Sequence, residues 1–375
     1  MKVKKIIPFL LFSIGLLLVS CIRDQALNME ADIETATIPE ATTLLQDEPV
    51  IGDNTIIFKL KEFTGVYRFA PEFTLTPGAS IKPASGTQLD FTQPQKYTVT
   101  SEDGAWTKVY TVSFVADDTQ KRSYSFEEAE VVDTENPEGH FHRFFDYLWT
   151  RQKKYDWATA NEGYNVLAET LLEEGETLTP AFYPTAQIPD GYIGKGVKMQ
   201  TKGTGPLGGM FGSPMAAGNL FLGTFKLTVP AIKSTLFGMS YNFKTAPKSV
   251  KGYFKYKAGK DFVINSKTGS KLTKDTWDAY AILFEKSDKN NYLSGDHAFK
   301  DARMVSVARI NADKRIETDQ WTAFEIPFEN VNGKSFDKNK EYMFTIVFTS
   351  SLEGDLFNGA IGSTLWIDEV KIVTE

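Results

Sequence analysis

The chain has 375 residues, of which 42% are hydrophobic and 24% are charged, and its formal net charge is −7. These values are ordinary for globular proteins and exclude a disordered chain, and the acidic balance argues against nucleic acid or anionic lipid as a partner. Aromatic residues make up 13% of the chain, with 28 Phe and 15 Tyr, which favours β-structure.

Residues 1–20 have the pattern of a bacterial signal peptide. Three lysines precede an apolar run over residues 6–19, and Leu18-Val19-Ser20 stands directly before Cys21, as lipoprotein signal peptidase requires. The run is shorter than the roughly 20 residues that span a bilayer, which disfavours a transmembrane anchor. We therefore expect lipidation at Cys21, with residues 21–30 as a tether.

Cys21 is the only cysteine, so the chain has no disulfide to stabilise it. No later segment is apolar for long enough to cross a membrane, so the lipid on Cys21 would be the only membrane attachment. Bacterial lipoproteins carry more than one acyl chain, which makes such an anchor stable. We expect a protein held at the bacterial outer membrane and exposed on the cell surface.

Residues 31–118 carry short strand patterns separated by turns. Strands are predicted over residues 55–60, 96–101 and 106–115, and Asp103-Gly104 predicts a hairpin turn between the last two. Pro and Gly residues punctuate the middle of the segment and no helix is predicted. The pattern is typical of a small β-sandwich.

Several motifs in this segment resemble the Ig-like domain that follows the lipid anchor in surface lipoproteins of glycan-degrading bacteria. They are residues 71–75 (PEFTL), 83–87 (PASGT), 90–92 (DFT) and 97–104 (YTVTSEDG). The resemblance implies a spacer or interaction arm. The residues favour the same role, because no cluster of histidines or paired carboxylates occurs in this segment. The alternative is that the segment binds a ligand.

A polar join over residues 117–121 leads to a larger domain, residues 123–375. It contains nine strand patterns and one short helical pattern over residues 164–172. In residues 250–257, for example, Val, Gly, Phe and Tyr at alternate positions face a core while lysines face solvent. The fold class predicted for the whole chain is all-β, with a two-sheet sandwich in this domain.

The second domain resembles the family called the putative carbohydrate metabolism domain, over about residues 123–371. The motifs that carry the resemblance are residues 157–164 (WATANEGY), 183–185 (YPT), 194–199 (GKGVKM), 214–225 (PMAAGNLFLGTF) and 362–370 (GSTLWIDEV). The resemblance implies a jelly-roll sandwich like those of carbohydrate-binding modules and some glycanases. The family resemblance supplies no catalytic motif that could be located in this chain.

Sugar binding on a jelly roll needs exposed aromatic rings beside polar groups that bind the sugar hydroxyls. Aromatic residues crowd the polar, turn-rich stretch from 149 to 192. The predicted binding residues are Trp149, Trp157, Tyr164, Tyr183 and Tyr192. The alternative is that these rings are buried at one end of the sandwich as part of its core.

Glycoside hydrolysis needs two carboxylates about 5 Å apart for retention or about 6.5 to 9.5 Å apart for inversion. The candidates nearest to aromatic residues and loops are Asp156, Glu162 and Asp296, with Asp190 and Glu285 after them. Such carboxylates also occur on a sandwich surface simply to keep it soluble.

No cofactor is predicted for the chain, and calcium, as a structural ion, is the better candidate among metals. Jelly-roll modules often join their first and last strands through an oxygen-ligated ion, and Glu127 and Asp368 occupy such positions. The alternative is that both are solvated edge charges. His140 and His142 lack a third zinc ligand nearby. The glycine-rich segment 203–212 lacks the residues of a phosphate-binding loop and is predicted to be a tight, close-packed loop.

The leading hypothesis is a surface lipoprotein that binds glycan through its jelly-roll domain, with the Ig-like domain as a spacer. One alternative is a glycoside hydrolase that uses a carboxylate pair in the same domain. A second alternative is a structural or adhesin subunit that binds protein.

Overall fold

The computed structural model describes residues 26–61, 67–116, 121–135, 137–149, 151–296 and 298–375. The predicted signal peptide, Cys21 and His297 lie outside these residues. The described chain divides into two compact units, one within residues 26–115 and one within residues 116–375. None of the described helices is both long enough and apolar enough to span a membrane.

The first unit is built from short antiparallel strands and one 3-10 helix, Pro39–Leu44. The strands are β1 (Ile33–Thr37), β2 (Val50–Ile51), β3 (Thr55–Leu60), β4 (Arg68–Phe69), β5 (Glu72–Leu75), β6 (Ser80–Lys82), β7 (Leu89–Asp90), β8 (Gln95–Thr100) and β9 (Thr107–Ala116). Five of them form a sheet in the order β2-β3-β9-β8-β6, while β1 pairs with β5 and β4 pairs with β7.

Aromatic rings hold the layers of the first unit together. Phe114 of β9 stacks on Phe58 of β3 and on Phe69 of β4, with ring centroids 4.5 and 4.2 Å apart. Phe73 of β5 meets Tyr97 of β8 edge-on at 4.9 Å, so the β1–β5 pair packs against the five-stranded sheet. The predicted Ig-like β-sandwich is confirmed.

The second unit begins with the strands β10 (Ser123–Tyr124), β11 (Ala129–Glu135), β12 (Glu138–Phe144), β13 (Asp146–Tyr147), β14 (Lys153–Lys154), β15 (Trp157–Ala158), β16 (Thr185–Ile188), β17 (Gly196–Gln200), β18 (Lys202–Gly203), β19 (Met215–Ala216) and β20 (Asn219–Phe225). It continues with β21 (Thr235–Phe237), β22 (Met239–Tyr241), β23 (Pro247–Lys257), β24 (Asp261–Val263), β25 (Asp278–Glu285), β26 (Leu293–Ser294), β27 (Met304–Arg309), β28 (Thr318–Pro327), β29 (Glu329–Asn330), β30 (Tyr342–Thr349), β31 (Gly359–Ile361) and β32 (Thr364–Thr374).

These strands form two main sheets. Sheet 1 has the order β16-β17-β32-β23-β28, with β10 beside β32. Sheet 2 has the order β26-β21-β20-β30-β25-β27-β29, with β15 beside β20 and β22 beside β30. All the described pairings in both sheets are antiparallel.

The core lies between the two sheets. Phe254 and Ile367 of sheet 1 and Phe344 and Phe348 of sheet 2 belong to one buried cluster, and Phe324 of β28 meets Phe348 of β30 across it at 6.0 Å. Burial of both inner faces is the main favourable term in the folding of such a sandwich. The all-β fold class, with a jelly-roll type of sandwich in this unit, is confirmed.

The two short α-helices are α1 (Asn161–Ala168) and α2 (Gly205–Met210). The first confirms the predicted helix, which continues as a 3-10 turn over Glu169–Leu171. The second lies in the glycine-rich segment, where a close-packed loop was predicted. The prediction of close packing is wrong at the C-terminal end of α2, because Met210 is 80% exposed and Phe211 is 74% exposed.

Candidate functional site

Three of the predicted sugar-binding rings are buried. Trp157 is 4% exposed and packs against Phe348 in the main core. Tyr164 and Tyr183 are 6% and 0% exposed and form a separate cluster with Phe141 beside α1. The prediction is wrong for these three residues, because a buried ring has no face to offer to a sugar.

The other two predicted rings remain accessible. Tyr192 is 42% exposed and Trp149 is half-buried. Only Tyr192 lies against sheet 1, in the turn between β16 and β17.

The outer face of sheet 1 carries aromatic residues that the sequence analysis missed. Trp366 of β32 lies opposite Lys198 of β17 and Lys255 of β23. The Lys255 ammonium lies 4.7 Å from the centroid of the Trp321 ring on β28 and 5.5 Å from that of the Trp366 ring. All four side chains are half-buried, so each has part of its surface in solvent.

A tyrosine pair extends this surface. The Tyr192 and Tyr253 rings stack with centroids 3.6 Å apart and planes 10° apart. The neighbouring Tyr253 side chain raises the pKa of Tyr192. Together, Tyr192, Tyr253, Trp321 and Trp366, with Lys198 and Lys255, form what we call the aromatic face.

Two buried or partly buried carboxylates hold the turn that carries Tyr192. Asp368 Oδ2 accepts hydrogen bonds from the backbone N–H groups of Tyr192 (2.8 Å) and Ile193 (3.0 Å), and Glu127 Oε1 accepts one from Lys195 N–H (3.0 Å). Gly194 has φ +61°, and a β-carbon there would collide with the Glu127 carboxylate. The turn is therefore fixed from both sides.

Glu127 and Asp368 are the residues for which calcium was predicted. Asp368 is fully buried and its Oδ1 accepts a further hydrogen bond from Glu369 N–H at 2.7 Å. Within the described residues, no three His, Cys, Asp or Glu side chains are grouped closely enough to hold a metal ion. The two carboxylates have a structural partner in the turn, and calcium binding stays a prediction.

The two histidines of β12 have separate partners. His140 Nδ1 lies 2.5 Å from Asp133 Oδ1, and His142 Nδ1 accepts a hydrogen bond from Gln187 N–H at 3.0 Å. Burial lowers the pKa of His142, which favours its neutral form.

The predicted carboxylates lie on separate elements. Glu162 is exposed in the first turn of α1, Asp190 is exposed in the turn after β16, and Asp296 lies in the turn after β26. Glu285, at the end of β25, forms ion pairs with Lys334 and Lys340.

Asp156 stands apart from these because it is buried, 9% exposed. Its Oδ2 lies 3.2 Å from Lys154 Nζ and 3.4 Å from the Tyr124 hydroxyl. Its pKa is raised, chiefly by burial and further by the charge of Asp146, although Lys154 opposes the shift. Asp146, which the sequence analysis did not select, hydrogen-bonds to Lys121 at 2.5 Å.

The sequence held a signal for the missed aromatic residues. In β23, Tyr253 has the same strand phase as Lys251 and Lys255, which were predicted to face solvent. In β32, Trp366 stands between the buried Leu365 and Ile367, so alternation places it outside. The dense aromatic stretch from 149 to 192 gave the stronger local signal for a sugar-binding site.

Residues 125–373 match the family model described as "Putative carbohydrate metabolism domain". The chain belongs to this family. Residues 33–114 of this family member match a second model, "SGBP, N-terminal", in which the abbreviation stands for surface glycan-binding protein. The resemblances of both domains are thus confirmed, and they associate the chain with carbohydrate.

Two solved structures resemble this member of the putative carbohydrate metabolism domain family. One is a crystal structure of a putative glycoside hydrolase from Bacteroides thetaiotaomicron VPI-5482, with 40% sequence identity, a TM-score of 0.61, and coverage of 94% of this chain and 99% of that one. The other is a putative glycoside hydrolase from Bacteroides vulgatus ATCC 8482, with 31% identity, a TM-score of 0.59, and coverage of 68% and 98%. No curated protein matches the chain.

Asp368 gives the first testable prediction. Burial raises its pKa from 3.8 to about 6, so the folded state binds this proton more tightly than the unfolded state does. The stability linked to the protonated carboxyl is present at low pH and is lost as the pH rises through about 6. Asp368→Asn keeps an oxygen acceptor for the turn but cannot ionise.

We therefore expect the free energy of unfolding of Asp368→Asn, relative to the unsubstituted chain, to increase on the order of 1 kcal/mol between about pH 5 and about pH 7.5. Urea unfolding at a series of pH values measures it. A difference that does not change with pH contradicts the assignment.

Proposed function

We propose that this protein is a surface-exposed lipoprotein that binds glycan on the aromatic face of its second domain. The observation that carries the proposal is the set of half-buried and exposed rings, Tyr192, Tyr253, Trp321 and Trp366, on the outer side of sheet 1. Large aromatic side chains usually lie in a core, so their collection on an outer sheet face marks a binding surface.

The spacing of the rings suits a polymer of sugar rings. Trp366 and Trp321 lie on β32 and β28, which are separated by β23. Neighbouring strands are about 4.8 Å apart, so the two tryptophans are about 10 Å apart across the sheet. Two linked pyranose rings extend over a similar length and can contact both indoles with their apolar faces.

Polar groups lie beside the rings to bind sugar hydroxyls. Lys198 and Gln200 of β17 share the outward phase of their strand and are half-buried. Gln200 donates a hydrogen bond to Thr364 Oγ1 at 3.0 Å, which fixes its amide at the end of the aromatic face. This combination of aromatic rings and fixed polar groups is typical of sugar sites.

The remaining features fit a surface location. The first unit has the fold of an Ig-like sandwich and matches a surface glycan-binding protein model, which supports a role as spacer after the lipid. The signal pattern before Cys21 supports lipid anchoring at the outer membrane. The first unit would then hold the aromatic face away from the membrane.

The second prediction tests the aromatic face. In affinity electrophoresis of the chain from residue 22 onward against a panel of polysaccharides, we expect retention by at least one of them. Trp366→Ala and Tyr192→Ala should each weaken that retention about tenfold or more, because central aromatic anchors commonly contribute about 2 kcal/mol.

Trp106→Ala is the matched control, because Trp106 is a 57% exposed tryptophan in the first unit. Its retention should equal that of the unsubstituted chain. Equal losses in all three variants, or no loss in the two variants of the aromatic face, refute the assignment. No retention of any polysaccharide refutes glycan binding and favours a protein-binding subunit.

A glycoside hydrolase is the second candidate function. Two observations favour it, namely the descriptions of the two similar solved structures and the carboxylates Asp156 and Asp146. A buried carboxyl with a raised pKa is suited to act as a general acid, and Asp146, whose charge acts on Asp156, would be the second carboxylate, as base or nucleophile.

The third prediction separates hydrolysis from binding. If the chain releases reducing ends from any polysaccharide of the panel, Asp156→Asn should lower the rate about 100-fold or more, as expected for loss of a general acid. Asp146→Asn should have a comparable effect. Glu162→Gln, at an exposed carboxylate on α1, should leave the rate unchanged. Full activity in both aspartate variants excludes this pair.

A further inference from the structure

We infer that the glycan bound by the aromatic face is anionic, a polysaccharide that carries carboxylate or sulfate groups. The inference rests on the proposed function and specifies its ligand. It comes from three lysine side chains, Lys198, Lys202 and Lys255, which lie on or beside the aromatic face and form no ion pair with any residue that the structure describes.

Lys255 occupies the middle of the aromatic face. Its ammonium group lies over the Trp321 and Trp366 rings, and among the described residues it forms no ion pair. A cation held between two indoles keeps its full charge, because the ring faces attract it without neutralising it. A sugar stacked on either tryptophan would therefore place its substituents close to a positive charge.

Lys198 and Lys202 extend the positive charge along β17 and into β18. Burial lowers the pKa of Lys198, and burial together with the charge of Lys198 lowers that of Lys202. Lys202 Nζ makes its contacts with the Ala181 carbonyl (3.4 Å) and the Phe182 ring (5.9 Å). Partial burial of these two ammonium groups is unfavourable, and a bound anion would offset its cost.

Three carboxylates near the aromatic face have other partners. Glu317 forms an ion pair with Lys274 and accepts a hydrogen bond from Ala258 N–H. Asp368 accepts hydrogen bonds from the backbone N–H groups of Tyr192 and Ile193. Glu176, the acidic group that acts on Lys202, accepts a hydrogen bond from Glu173 N–H.

At the other end of the strands the charges are mixed. Glu325 lies opposite Lys251 and accepts a hydrogen bond from Ser249 Oγ, and Glu369 lies 3.9 Å from Lys371. By contrast, Asp319 lies two residues before Trp321 in β28 and is exposed, at the tryptophan end of the strand. Within the described residues Lys198 and Lys255 form no ion pair, so positive charge exceeds negative charge along the row that contains both tryptophans.

An anionic polysaccharide fits better than a nucleic acid. The chain has a net charge of −7, which disfavours the approach of a densely charged polyanion. Three lysines among four aromatic rings match a polymer that has an anionic group on some of its rings and apolar ring faces to stack.

The test uses pairs of polysaccharides that share a backbone and differ in charge. The pairs are polygalacturonate with its carboxyl-reduced form, and carboxymethyl dextran of low substitution with dextran. For the chain from residue 22 onward we expect at least tenfold stronger retention by the anionic member of one pair. The preference should shrink as salt is raised, because screening weakens charge attraction.

Lys255→Met and Lys198→Gln should each reduce the ratio of anionic to neutral retention at least threefold. Lys338→Met is the control, because Lys338 is exposed in the loop between β29 and β30. It should keep the preference. Thermal unfolding of each variant shows whether the fold is intact, and Lys255→Gln provides a second variant if Lys255→Met unfolds.

The outcomes are distinct. Equal retention of charged and neutral polymers, a preference independent of salt, or no effect of the lysine variants overturns the anionic ligand while the proposed function stands. A single-stranded oligonucleotide that binds as tightly as the anionic polysaccharide also overturns it. Failure to retain any polymer refutes the proposed function itself.

Discussion

The second domain depends on the burial of two inner sheet faces against each other. Phe254 and Ile367 of sheet 1 pack into the cluster that contains Phe348 of sheet 2. Successive side chains of a strand point to opposite faces, so packing these residues inward turns Tyr253 and Trp366 outward. The rings of the aromatic face are thus positioned by the same hydrophobic burial that folds the domain, and their backbone is already ordered before any ligand arrives.

A bulge in β32 connects this core to the turn that carries Tyr192. The pairing of β23 with β32 shifts register between Lys251 and Tyr253, and Glu369 in the bulged strand has φ +50°. Bulges redirect side chains next to binding sites. Here the irregular backbone places Asp368 where its carboxylate receives the N–H groups of Tyr192 and Ile193. Removal of a buried charge from water is costly, and these N–H donors offset part of that cost.

Local patterns in the sequence were sufficient for long strands such as β23 and for α1, but not for the short strands between residues 123 and 188. The alternation in residues 250–257 predicted the inner face of β23, and the spacing of residues 164–172 predicted the helix. The choice of binding rings failed at Trp157, Tyr164 and Tyr183, since the burial of a ring depends on partners that are distant in the sequence. Trp157 is buried by Phe348, and nothing near residue 157 indicates that contact. Asp146 was missed for a different reason, because its relation to Asp156 arises from the local β13–β14 hairpin, which was not predicted.

Tyr192 differs from the other rings of the aromatic face in one respect, because it lies in a turn and they lie in strands. The strands cannot gain or lose residues freely, since a shift of one residue inverts the alternation that buries the core unless a bulge absorbs it. The turn can change in length or sequence without such a penalty. Stability and ligand choice are therefore encoded in different parts of the same surface, and evolution or engineering can alter the reach of Tyr192 while the sandwich beneath it stays intact.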